Sequence, residues 1–347
     1  MPKAQKPEAR VKNTTISDVA ELAGVTIGTV SHVINGTATI SEETTIKVEN
    51  AIKELGYKPN PFARSLRRKQ SKMIGLLVPD LTEFYSSIAR TFMDHAYDHG
   101  YSVILISYQY NYEREKREFN VLIERMVDAI VLFGGWNDEK LLTSVTKTGI
   151  PVILCDRRAE SNLFSTIEFD NEAAMRQVVR LLKEKGYSSL GYVSEPLEMT
   201  NLEDRYSGFK IGVFEQGLDV LPENIFLNES LRLDKLKNGY IFMKNLLDQR
   251  PVDQLPKVFI TTSDLIAVGI TGAINDSGYR IPEDFGVVGF DNISVSPYIS
   301  PALTTIEQDN WAMARAAWDA VSDTLENKVN KPISIKLSSE VIIRESC

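Results

Sequence analysis

Beyond residue 71 the chain alternates short apolar runs with longer amphipathic stretches, while the residues before it carry helical periodicity only. The runs fall at Ile74–Val78, Val103–Ile106, Ala129–Phe133, Val152–Cys155, Leu190–Val193, Val258–Ile260 and Val287–Phe290. Helix-length segments separate most of them, such as Phe84–His99 closed by Gly100, and Asp264–Ser277 closed by Gly278. Unbroken apolar runs, unlike alternating ones, predict strands buried on both faces, hence parallel sheets covered by helices. Roughly 275 residues are too many for one sheet, so two similar lobes are predicted, the first ending near Asp170. Leu303–Ile306 and a helix over Trp311–Leu325 are read as crossing back between the lobes, and Ile333–Ile343 as one closing strand.

In the head, Thr15 predicts the start of a helix over Ile16–Ala23, with Asp18 in capping-box position and Gly24 as its stop. Thr26 begins a second over Ile27–Asn35, closed by Gly36, and Ser41 begins a third that ends at Gly56. Lys58-Pro59-Asn60-Pro61 then breaks the pattern, and Pro61 opens a short basic segment containing Arg64, Arg67, Arg68 and Lys69. The domains expected are therefore 13–58, a linker or hinge helix over 59–71, and a two-lobed body over 72–347. Lobe 1 would take about 72–170 plus 303–330, and lobe 2 about 171–300 plus the C-terminal strand.

Composition adds a polarity between these parts. The 347-residue chain is 43% hydrophobic and 25% charged, an ordinary globular balance, and its net charge is −8. Met1–Ser71 hold eleven Lys and Arg against seven Asp and Glu, whereas the rest holds 28 against 40. A basic head on an acidic body suggests a polyanionic partner for the head. No run approaches membrane-spanning length and residues 1–30 hold no secretory core, so a cytoplasmic location is expected. Two cysteines, Cys155 and Cys347, are too few for a disulfide framework or a cysteine zinc site. His95 and His99 share a helix face without a third ligand, and no phosphate loop or nucleophile elbow occurs. No metal, no cofactor and no catalysis are expected.

Ala20, Gly24 and Val30 carry the spacing of a helix-turn-helix: a small residue for close packing, a glycine for a left-handed turn, an apolar anchor on the second helix. A tight helical hairpin shares part of that pattern, but the basic arm and basic segment beside it favour DNA. In the body, Asp80, Asp156, Ser263-Asp264 and Asp291 each follow an apolar run, where doubly wound sheets bind ligands. Carboxylates there suit a ligand rich in hydroxyl donors. Helix capping is the competing explanation for Asp80 and Asp264.

Ile16-Ser17-Asp18-Val19-Ala20, Thr29-Val30-Ser31-His32-Val33-Ile34-Asn35-Gly36, Gly56-Tyr57-Lys58-Pro59-Asn60 and Ala63-Arg64-Ser65-Leu66 together resemble the lactose-repressor/galactose-repressor family of bacterial transcription regulators. The likeness runs on through Ile74–Pro79, Asp156-Arg157, Asp204–Phe209, Gly289-Phe290-Asp291 and Leu303–Ile306. It implies an α/β body of the periplasmic-binding-protein-like kind behind the helix-turn-helix. It also implies that Ile27, Gly28 and His32 face base edges while Thr26, Thr29 and Ser31 reach phosphates. Leu66, beside Ala63, would wedge into the minor groove. Phe84, Tyr85, Asp156, Arg205, Ser263, Asp264 and Asp291 would hold an effector. Met199 stands where a purine-binding member has an arginine, which points to sugar instead.

The expected protein is thus a homodimeric, ligand-responsive repressor of sugar-utilisation genes, reading a pseudo-palindromic operator in double-stranded DNA. Four residues after Ile343 leave no heptad tail, so a dimer is expected over a tetramer. The alternatives are a global catabolite regulator partnered by a phosphorylated carrier protein, and a solute-binding protein sharing the two-lobed body.

Overall fold

Each helix of the head starts where the sequence offers a hydroxyl. In the computed structural model, which describes residues 14–58, 70–326 and 331–347, α1 (Ile16–Ala23), α2 (Ile27–Asn35) and α3 (Glu42–Leu55) are capped by Thr15, Thr26 and Ser41. Thr15 Oγ1 accepts from the Asp18 N–H at 3.3 Å, and the Asp18 carboxylate accepts from the Thr15 N–H at 2.7 Å, a closed capping box. Caps of this kind each stabilise by about 1 kcal/mol. Gly24 ends α1 at φ 65°, a left-handed conformation that lets α2 turn back on α1. Val19, Ala20, Val30, Val48 and Ala51 form the small core, with Ala23, Val25 and Val33 packed on it. The chain divides into two units, Met1–Ser71 and Lys72–Cys347. Ala63 and Leu66 lie outside the described residues.

The second unit begins with lobe 1: β1 (Met73–Val78), α4 (Glu83–Asp98), β2 (Ser102–Ser107), α5 (Tyr112–Glu124), β3 (Ala129–Phe133), α6 (Glu139–Thr146), β4 (Val152–Cys155) and β5 (Ser165–Phe169). Lobe 2 follows with α7 (Asn171–Glu184), β6 (Leu190–Ser194), α8 (Thr200–Glu215), β7 (Ile225–Leu227), α9 (Lys235–Gln249), β8 (Val258–Thr261), α10 (Asp264–Asp276) and β9 (Gly286–Val288). Then come β10 (Thr305–Gln308), α11 (Asn310–Leu325), β11 (Ser334–Leu337) and β12 (Ser339–Ile342). Lobe 1 is a parallel sheet in the order β11-β5-β4-β3-β1-β2, and lobe 2 a parallel sheet in the order β7-β6-β8-β9. Strands β1, β3, β4, β6, β8 and β9 are buried on both faces, as the unbroken apolar runs predict, while the edge strands β2, β7 and β11 are only partly buried. Leu76, Val131 and Ile153 face α4 and α11, while Leu77, Leu132 and Leu154 face α5 and α6.

Three expectations need correction. Leu303–Ile306 does not join lobe 1: β10 starts two residues later, Thr304 and Glu307 bridge to Val288 and Asp291, and Leu303 and Ile306 sink into the lobe 2 cores. Ile333–Ile343 is not one strand of lobe 2. It breaks at Ser338, so that β11 extends the lobe 1 sheet beside β5 while β12 runs antiparallel to β10. Two strands, β5 and β7, are unforeseen: the first carries Ser165, Thr166 and Glu168 among its five residues, and the second is three residues long.

Candidate functional site

In the head, the first turn of α2 is the exposed face. Thr26 Oγ1 accepts from the Thr29 N–H at 3.2 Å and lies 3.0 Å from Thr29 Oγ1, so both threonines hold the helix start as well as facing outward. Ile27 is 50% exposed, a large apolar side chain with no partner in the small core. A Cβ on Gly28 would meet only Thr26 Oγ1, at 3.6 Å. Packing therefore does not demand glycine there, and its bare backbone is free to approach another surface closely. Ser31 is half-buried, with the Asn35 amide donating to its carbonyl at 2.7 Å. His32 Nδ1 sits 2.9 Å from Thr37 Oγ1, a contact that restrains the ring. An exposed helix start with hydroxyls and unpaired N–H groups suits phosphate contact.

In the second unit the strand ends of the two lobes converge on one cleft. The space between its walls, open mouth included, is about 530 Å³. Lobe 1 supplies Phe84 and Tyr85 from the first turn of α4. Their rings pack edge to face at 4.9 Å. Lobe 2 supplies Met199 at the cap of α8, Asn201 and Arg205 from α8 itself, Ser263 ahead of α10, and Asp291 after β9.

Arg205 is 4% exposed yet lines the cavity. Its Nε donates to Asn171 Oδ1 at 2.9 Å and its Nη1 to the Thr262 carbonyl at 2.8 Å, while the guanidinium stacks on Phe290 at 3.7 Å. Those contacts, with a longer bond from Nη2 to Gln308 Oε1 at 3.5 Å, fix the planar fork in the cleft wall. No ion pair within 4 Å joins it to Asp291. Burial pushes the Asp291 carboxyl well above its ordinary value, and the Arg205 charge pulls it only partly back.

Asp156 stands one layer behind the wall. Its Oδ2 accepts from Tyr85 Oη at 3.2 Å and from Asn201 Nδ2 at 2.9 Å, while Oδ1 is buried without a partner. Burial raises this carboxyl too, against the lowering charge of Arg205. Asp156 and Asp291 both adopt positive φ, 53° and 115°, the backbone strain that collects at functional positions.

Asp264 is a correction, because it does not reach the cleft. It is fully buried, accepting from the Ile293 N–H at 3.0 Å and from the Ser296 and Thr305 hydroxyls at 2.5 Å each. Gly289 explains the placement: a Cβ there would lie 2.0 Å from Asp264 Oδ1, so the missing side chain makes room for the carboxylate. Asp264 thus pins the loop that carries Asp291. Ser263 keeps a place on the wall, though its hydroxyl also caps α10 by accepting from the Leu265 N–H at 3.2 Å. Asp80 accepts from the Thr82 N–H and from Tyr110 Oη, both at 2.8 Å.

Sequence reasoning missed Glu195 and Lys235, a buried ion pair on the wall that also engages Thr262 Oγ1 through Glu195. Burial alone would raise Glu195, but the charge and hydrogen bond of Lys235 outweigh it and the carboxyl ends below its usual value. Glu195 directly follows β6, the same strand-end position that marks Asp156 and Asp291, so a signal was there. Among the described residues no group of His, Cys, Asp and Glu could hold a metal ion, and no helix is long and apolar enough to cross a membrane.

Residues 15–60 match the model of bacterial regulatory proteins of the lacI family, and residues 179–347 that of the periplasmic binding protein-like domain. The chain is 32% identical to the HTH-type transcriptional regulator RegA of Clostridium saccharobutylicum, covering 96% of this chain and 99% of that one. It is 31% identical to the HTH-type transcriptional repressor PurR of Pasteurella multocida, covering 96% and 98%. Among solved structures it resembles the lac repressor dimer bound to operator and the anti-inducer ONPF, with 25% identity, a TM-score of 0.80, and 96% and 99% coverage. Likeness over essentially the whole length, joined to the capped recognition helix and the polar cleft, identifies a DNA-binding transcription regulator controlled by a small-molecule effector: the chain belongs to the lacI family of bacterial regulatory proteins.

Proposed function

We propose that this regulator is a cytoplasmic, homodimeric repressor of sugar-utilisation genes whose effector is an uncharged sugar. The observation that carries this reading is the acceptor-rich wall of the cleft: the unpartnered Asp156 Oδ1 just behind it, and Asp291 across from the fixed fork of Arg205. A carboxyl group keeps an acceptor oxygen in either protonation state and gains a donor when protonated, and both forms match the hydroxyls of a polyol. Glu195 and Lys235 neutralise each other, which leaves Glu83 and Asp291 on the wall, with Asp156 behind it, around the single guanidinium of Arg205, a poor site for a phosphosugar or sugar acid. The resemblance to purine repressors favours a purine, but Met199 on the wall cannot donate to a purine carbonyl. In the head, Ile27, Gly28 and His32 face the bases, and Thr26, Thr29 and Ser31 the phosphates of each half-site. Ala63 and Leu66 act in the hinge as the family resemblance implies.

The test is a thermal-shift screen of neutral sugars, phosphosugars and purines on the intact protein. A ligand at 100 times its dissociation constant adds ~2.7 kcal/mol. A neutral sugar should raise the melting temperature of the parent and not that of Asp291→Asn. Stabilisation by a purine or a phosphosugar, and by no neutral sugar, overturns the reading.

A further inference from the structure

The chain passes between the lobes three times: at Asp170 between β5 and α7, at Asp309 between β10 and α11, and at Ser338 between β11 and β12. The crossings are joined to one another. The Asp170 N–H donates to the Leu337 carbonyl at 2.8 Å, and Gln308 pairs in register with Ser339. Buried amide side chains flank two of these joints, Asn171 and Gln308, and both accept from Arg205, at 2.9 and 3.5 Å. The guanidinium that lines the effector cleft is therefore bonded directly to two of the three joints on which the lobes turn. Hydrogen bonding is also left incomplete here. Gln308 Nε2, Asn310 Oδ1 and Ser339 Oγ are buried and find no partner among the described residues. A buried polar group left unpaired is destabilising, and folded proteins pair nearly all of theirs.

We propose that Asn171 and Gln308 are positioning residues through which Arg205 senses the angle between the lobes, and that the joints hold a second set of hydrogen bonds, made when the lobes rotate. Hinges absorb motion at a few element-terminal residues. Asn171, Gln308, Asn310 and Ser339 are each first or last in their elements. Rotation about the joints carries lobe 1 past these side chains while the interior of each lobe stays packed, so theirs are the partners that change. Asn171 is bonded on both sides in the present arrangement, its Nδ2 donating to the Phe169 carbonyl of lobe 1 at 3.3 Å and its Oδ1 accepting from Arg205. Gln308 is half engaged, with a long bond on Oε1 and none on Nε2. An effector that grips the guanidinium fixes the partner of that Oε1 and so favours one lobe angle. A ligand shifts such an equilibrium only by its difference in affinity for the two states. The coupling is the same whichever small molecule fills the cleft.

Two backbone amides report the lobe angle without any effector, because each is bonded across the cleft. The Ser294 N–H donates to Glu83 Oε1 at 2.7 Å, and the Arg158 N–H donates to Thr200 Oγ1 at 3.2 Å. Both exchange with deuterium when the lobes part, and residue-resolved hydrogen exchange on the intact protein reads them. Gln308→Met keeps the length of the side chain and deletes the unpaired donor, and with it whatever rotation gains by satisfying that donor. It should slow exchange at both amides by about fivefold or more. Ser339→Ala removes one unpaired oxygen with little effect on packing, and should slow both by about twofold or more. Exchange that is unchanged or faster in Gln308→Met overturns the inference, because the amide is then satisfied by buried water in the present arrangement and rotation gives it nothing. If Gln308→Met does not fold, Ser339→Ala decides on the same two amides: slower exchange supports the inference, and unchanged or faster exchange overturns it.

Discussion

Replacing Arg205 by alanine should unfold the body more readily than a loss of ligand contact alone would. Two hydrogen bonds from a charged donor, at 2.9 and 2.8 Å, disappear together with the stack on Phe290 at 3.7 Å. Hydrogen bonds to charged groups contribute about 1.5–3 kcal/mol each, and a desolvated cation–π contact about 2. The truncation also strips Asp156 and Asp291 of the positive charge that offsets their burial. The two short bonds and the stack sum to about 5–8 kcal/mol. Such terms are not additive and the vacated site takes up water, so a net loss of roughly 4–6 kcal/mol is expected, a large share of a typical stability of about 5–15 kcal/mol. At about 2–4 °C per kcal/mol for a domain of this order of size, the melting temperature should fall by about 10–20 °C in scanning calorimetry. The charge-retaining Arg205→Lys should recover part of the loss, since an ammonium can replace one of the two bonds but not the planar stack. A fall of less than about 3 °C for Arg205→Ala would refute the reasoning, and would mean that the buried fork is a ligand contact with no structural duty.

Burial lifts Glu115 to about 7 against the lowering charge of Arg157, so the folded chain holds this proton more tightly than the unfolded one. Its contribution is therefore complete below its ordinary carboxyl range and is lost as pH rises through 7, about 3 kcal/mol in all. Asp264, raised by burial to about 6, acts in the same direction. Glu115→Gln should accordingly flatten the fall in melting temperature between pH 5 and 8, and an unchanged slope would rule out this origin. Gly289→Ala drives a methyl group to 2.0 Å from Asp264 Oδ1 and 2.8 Å from Leu303 Cδ2, and should destabilise by about 1–3 kcal/mol or more in chemical denaturation. Operator affinity should fall by roughly 10³–10⁵ between 50 and 200 mM salt if six to ten phosphates are neutralised, measured by fluorescence anisotropy on a selected operator.

What could be read in advance was whatever the chain encodes locally. Thr15, Thr26 and Ser41 announce their helices because capping is settled within four residues, and the buried strands announce themselves through unbroken apolar runs. Strand ends led to Asp156 and Asp291 because parallel sheets gather their ligands there. Asp264 misled, since its carboxylate is turned away by the space Gly289 leaves, twenty-five residues further along. Lys235 had no mark at all: only the fold brings the start of α9 into the cleft. The strand β11 and its neighbour β12 share one alternating pattern, and nothing in that pattern says that Ile335 belongs to one core and Val341 to another.

Lobe 1 is begun first but completed late. Its helix α11, which places Met313 and Trp318 in the core, and its edge strand β11 are supplied only after lobe 2 has been made as far as β10, and β12 then closes lobe 2. During synthesis the apolar face formed by β1, β3 and β4 must therefore wait, partly uncovered, through well over a hundred residues of intervening chain. An interval of that kind invites chaperone capture and aggregation. A ribosome stalled between β10 and α11 would hold a nearly complete lobe 2 beside a lobe 1 still lacking part of its core.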